Sequence, residues 1–81
     1  MIILDCAKKH GITEKGIETA FNNAIAVRRR NFDPPSHIAV AGADEKGILI
    51  ELLVAEQADG EIIAYHAMKL TKKMSKELGL E

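Results

Sequence analysis

The stretch YHAMKLTKKMSKEL, Tyr65 to Leu78, places a histidine near the end of an apolar run, followed by Lys69, Lys72, Lys73 and Lys76 at mostly three- and four-residue spacing. Histidine changes charge near neutral pH, and beside fixed positive charge His66 could serve as base or acid on a phosphodiester. The same position also suits a half-exposed strand histidine with an ordinary hydrogen-bond partner, which is the commoner case. On a helix the four lysines form one positive stripe, which is either a solvated face or an anion-binding one. Leu70, Met74 and Leu78 supply the apolar stripe of that helix, for the core or for another chain. Two further cationic groups stand upstream. Lys8, Lys9 and His10 close a short N-terminal segment, where a cation at a helix C-terminus is favourable for dipole reasons alone. Arg28, Arg29 and Arg30 run consecutively along what reads as a strand. A strand with one face on a core has no room for three neighbouring cations. Either it lies at an edge, where charge discourages aggregation, or an arginine reaches across an anion-binding groove. The planar guanidinium would suit RNA phosphates or the carboxylates of an acidic partner.

Composition sets the frame that must position these groups. At 81 residues the chain forms one domain, residues 1–81. Hydrophobic residues make up 47% and charged residues 28%, which argues for a folded globular chain rather than a disordered one. Aromatics are only 4%, so the core must be built from Ile, Leu, Val and Ala. The net charge of −1 draws in no nucleic acid by itself, but a polarised molecule can still bind an anion on one face. No apolar run approaches the roughly 20 residues that span a bilayer, and the opening residues are not ordered as a signal peptide, so a cytoplasmic protein is expected. The one cysteine, Cys6, allows no intramolecular disulfide and reads as a small buried hydrophobe. No phosphate-binding glycine loop, zinc spacing, calcium loop or nucleophile elbow is present, and His10, His37 and His66 are scattered, so neither metal nor cofactor is expected.

The order of elements follows from periodicity and punctuation. LDCAKKHG suggests a short helix with Asp5 as N-cap and Gly11 as its stop. Thr13 can cap a helix whose Ile17, Ala20, Phe21, Ala24 and Ile25 fall at helical spacing and which ends near Ala24. IAVRRRNF reads as a strand, broken by DPPS. HIAVAG is a second strand, and the turn ADEKG leads into ILIELLVAE, whose Ile48, Ile50, Leu52 and Val54 share one face. Leu49, Leu53 and Ala55 share the other face with Glu51, and a strand apolar on both faces belongs in the middle of a sheet. The Asp59-Gly60 turn returns the chain as EIIAYHA, with His66 alternating with Ile62 and Ala64. Thr71 can cap a last helix, stopped by Gly79. The predicted class is α+β: N-terminal helices, a three- to four-stranded antiparallel meander and a C-terminal helix, with the helices on one sheet face.

These ordered pieces resemble the BrnT-like toxins of the wider RelE-like group, the toxin halves of type II toxin–antitoxin systems. AKKHGIT matches their Lys-His-Gly-apolar element ahead of a helix, and IAVAG, ADEKG and ILIELLV match a strand ending in Gly, an acidic turn and an apolar strand. In HAMKLT, Ala67 and Thr71 match an Ala-Arg-x-x-Thr segment that opens a basic helix; Met68 stands at the arginine position and Lys69 beside it offers a point charge. The resemblance implies a RelE-like sheet-plus-helix fold, RNA cleavage without metal, and neutralisation by a cognate antitoxin that also binds DNA. The site residues expected on these grounds are His66 and Lys69 for catalysis, and Arg28, Arg29, Arg30, Lys9, His10, Lys72 and Lys73 for RNA. The alternative is a non-catalytic module that holds RNA or an acidic protein on the same basic face. A homodimer through an exposed edge strand is compatible with either.

Overall fold

The computed structural model describes residues 1–81 and has α+β architecture, with five strands in one mixed sheet and two α-helices. The sheet contains β1 (Ile2–Ile3), β2 (Ala24–Arg29), β3 (Ser36–Ala43), β4 (Leu49–Glu56) and β5 (Ile62–Lys69) in the order β1-β5-β4-β3-β2. Strands β2 to β5 pair antiparallel with their sequence neighbours, as the turn signals require. The short β1 adds alongside β5 in parallel and makes the sheet mixed. Two residues are too few to carry a strand pattern, so MIIL gives no sign of it. Strand β4 lies in the middle, consistent with its two apolar faces.

Helix α1 (Glu14–Asn22) begins where Thr13 Oγ1 accepts the Gly16 amide at 3.0 Å. Its Ile17 and Ala20 are fully buried against Ile38 and Val40 of β3, Ile50, Leu52 and Val54 of β4, and Ala64 and Ala67 of β5. The helix ends two residues earlier than its spacing predicts: Ala24 and Ile25 belong to β2, and Ile25 is exposed. Ile48 is likewise outside the strand and exposed rather than part of the core face. The N-terminal segment folds as a 3-10 helix, Asp5–Lys8, whose N-cap is Leu4 without a side-chain bond, so Asp5 does not cap it. Cys6, expected in the core, is exposed, and its Sγ donates to the Tyr65 carbonyl at 3.2 Å; Ala7 is the residue of that turn that enters the core.

Helix α2 (Lys72–Glu77) covers the other face of the sheet. Its buried Met74 lines one cavity with Leu53 and Glu51, which alternate on β4 with the core-facing Ile50, Leu52 and Val54. The helices therefore take opposite faces. The reason is a polar anchor: Glu51, a carboxylate buried on the second face, accepts the amide and hydroxyl of Thr71 at the start of α2. Strand β5 contains one irregularity that governs the site. Val54 pairs with Ala64 and Leu53 with His66, so Tyr65 is an extra residue, a β-bulge.

Candidate active site

The bulge sets which side chains meet. In a regular strand His66 would share a face with Ala64 and point at the α1 core. With Tyr65 inserted, His66 pairs with Leu53 and lies on the α2 face, beside Glu51. Glu51 Oε2 is 2.9 Å from His66 Nε2, while Glu51 Oε1 accepts the Thr71 amide at 2.8 Å and the Thr71 hydroxyl at 2.6 Å. The same hydroxyl accepts the Met74 amide at 3.2 Å and so caps α2. The Glu51 side chain is 5% exposed and that of His66 23%, so the carboxylate is fixed inside while the imidazole keeps an open side. An ionised carboxylate only accepts hydrogen bonds, so Nε2 carries the proton and Nδ1 of the neutral ring remains as a base. The His10 ring stands edge-on to His66, with centroids 5.8 Å apart.

Burial pushes the Glu51 carboxyl up, but the hydrogen bonds from the Thr71 hydroxyl, His66 and the Thr71 amide outweigh it and hold the group below the usual carboxylate range. A folded-state pKa below the unfolded one gives stability that is present above the unfolded value, about 4.3, and is lost as pH falls through the folded value. Thr71→Ala should therefore cost about 1–2 kcal/mol at pH 7, from the lost cap and the lost donor. Urea unfolding across the acid range should show that cost shrinking below pH 4, where wild type has itself lost part of the term; a pH-independent cost would leave only the cap.

Two more pairs lie on this face. His37 Nδ1 is 2.9 Å from the Tyr65 hydroxyl, their rings edge-to-face; burial raises the Tyr65 pKa, and the nearby Arg30 opposes that only partly. Arg30 Nε and Nη2 donate to Glu77 Oε2 and Oε1 at 2.8 and 2.7 Å, a bidentate bond that ties α2 to the end of β2. A cavity of about 280 Å³ runs between α2 and the sheet, bounded by Arg30, Glu51, Thr71, Lys73 and Glu77 over Leu53 and Met74.

The predicted site residues divide accordingly. His66, His10, Arg30 and Lys73 come to this side of the molecule. Lys69 pairs with Ile50, hence faces the α1 side, and lines a separate cavity of about 340 Å³ with Asp44, Glu45 and Lys46. The register thus separates Lys69 from His66. Arg29 also turns to the α1 side, donating to Ser36 Oγ at 2.6 Å and Glu56 Oε1 at 2.9 Å. Arg28 is exposed on the edge strand and takes part in no ion pair. Lys9, Lys72 and Lys73 are exposed. Sequence reasoning missed Glu51, Tyr65, His37 and Glu77 as site members. Glu51 had a signal: it is the only charge within the apolar ILIELLVA run, and an isolated buried carboxylate demands a partner. No three His, Cys, Asp or Glu side chains converge as a metal site, and no helix is long and apolar enough to cross a membrane. What fold and site together define is a small α+β domain with a carboxylate-oriented histidine on one sheet face. No family model, curated protein or solved structure matches the chain.

Proposed function

We propose that the chain is a RelE/BrnT-like toxin that cleaves RNA without a metal ion. The observation that carries this reading is the His66 imidazole, oriented through Nε2 by a buried carboxylate and left with Nδ1 free beside a second imidazole, His10. His66 Nδ1 takes the proton of a ribose 2′-hydroxyl, and that oxygen attacks the adjacent phosphorus. The phosphorus–O5′ bond breaks, a 2′,3′-cyclic phosphate forms, and protonated His10 gives its proton to the leaving oxygen. Arg28 and Arg30 stabilise the charge that develops on the phosphoryl oxygens. Lys9, Lys72 and Lys73 contact the flanking backbone, while Lys69 and Arg29 lie on the opposite face, away from the RNA. In a cytoplasmic host a cognate antitoxin covers this basic side, and the unpaired outer edge of β2 is where a homodimer would form.

A second reading, a non-catalytic module for RNA or an acidic protein, is favoured by one observation: Lys72, Lys73 and Lys76 are all exposed and without ion pairs. One experiment separates the two. Purified chain incubated with RNA in excess chelator should yield fragments ending in 2′,3′-cyclic phosphate, and induced expression alone should arrest bacterial growth. RNA that is bound but stays intact would establish the module instead.

A further inference from the structure

We propose that the Arg30 guanidinium fork is a phosphate-binding site which the Glu77 carboxylate fills as an internal stand-in, so that RNA binds by displacing Glu77. The inference deepens the reading of this face as an RNA site and rests on it for the identity of the ligand.

The fork is used fully: Nε and Nη2 each donate to one oxygen of the same carboxylate, at 2.8 and 2.7 Å. This geometry accepts a carboxylate or two phosphoryl oxygens interchangeably. A phosphodiester carries the same single negative charge as the carboxylate it replaces, so the exchange leaves Arg30 paired throughout and strands no desolvated cation. Glu77 is a replaceable occupant. Its side chain is already 23% exposed, it ends a six-residue helix, and a negative charge in the last turn is opposed by the helix dipole. Rotation into water costs it little. The surroundings favour an incoming anion: Lys73 lines the same cavity, and Arg28 projects from the same face of β2 without a partner. Thr71 and Glu51 form another part of the cavity wall, so a phosphate in the fork lies next to the group that orients His66.

The Arg29–Glu56 pair supplies an internal control. It joins the neighbouring arginine to a glutamate at 2.9 Å on the opposite face, so neutralising Glu56 changes the total charge equally without opening the proposed fork. The probe is a 2′-O-methyl hexanucleotide, which lacks the attacking hydroxyl and resists cleavage, titrated by fluorescence anisotropy. Glu77→Gln should bind it about tenfold more tightly than wild type, and Glu56→Gln less than twofold more tightly. Arg30→Ala should cancel the gain in the Glu77→Gln background. Equal gains from Glu77→Gln and Glu56→Gln would overturn the site, leaving only a general charge effect. Should Glu77→Gln loosen α2, the wild-type chain still decides: the Arg30 Nε–H resonance should shift saturably with the probe, and an unmoved resonance under saturating probe overturns the proposal. Intact RNA in the cleavage assay, together with these binding contrasts, would refute the nuclease and leave the phosphate site standing.

Discussion

His66→Ala should lower RNA cleavage at least tenfold and, at the usual worth of a positioned acid–base group, about a hundredfold. The effect is chemical rather than architectural. His66 is partly open to solvent, and Glu51 keeps both Thr71 donors when the imidazole is removed, so the folded state should lose only about 1 kcal/mol. His66→Gln sharpens the test, because its amide can still donate to Glu51 but cannot move a proton at neutral pH. Both variants should melt near wild type and both should be inactive. A rate unchanged in the alanine variant removes His66 from the mechanism, and a rate retained in the glutamine variant alone would reduce the histidine to a structural donor.

Gly42→Ala should be the most damaging glycine-to-alanine change in the molecule. A Cβ at Gly42 would stand 1.9 Å from the Ala20 carbonyl oxygen and 2.9 Å from the Asn23 carbonyl oxygen. Both are backbone atoms at the end of α1, so no side-chain rotation relieves the clash. Either the helix lifts from β3, opening the packing of Ile17 and Ala20, or β3 distorts next to its pair with Ile50 on β4. Overpacking that forces backbone shifts reaches about 3 kcal/mol. For a chain of this size that corresponds to a fall of roughly 15 °C in Tm. Circular dichroism melts measure it directly, and a shift of only a few degrees would mean that α1 is not seated on β3 at that point.

Much of the frame was legible because short-range chemistry writes it. Thr13 and Thr71 cap helices where their hydroxyls predict, and Gly11, Gly47, Gly60 and Gly79 have positive φ at turns and stops. The alternation of Ile50, Leu52 and Val54 gave the core face of β4. What stayed hidden depends on register and on distant partners. The parallel β1 needs an edge of β5 to exist at all. Cys6 looks like core by residue type, but its 3-10 turn directs Ala7 inward instead. The sequence left the arginine run open between an edge strand and a groove, and its split between Glu56 on one face and Glu77 on the other requires two acids from elsewhere in the fold. His66 could be placed on the last strand, but its face and its Glu51 partner could not, since both turn on one unpaired residue.

That residue, Tyr65, acts as a phase shift in the reading of β5. Upstream of it the even-numbered positions face α1, and downstream the odd-numbered ones do, so for this sequence the bulge exchanges the destinations of His66 and Lys69 relative to a regular strand. A strand of the same sequence that ran regularly through Tyr65, with no bulge, would present opposite residues to the α2 side. Residue identity at an aligned column therefore carries no information about this site unless strand parity is matched as well. For relatives of this chain, the feature to compare is whether the residue before the histidine is bulged: with Tyr65 unpaired the imidazole lies on the α2 face, and in a regular strand of the same length it would turn into the core.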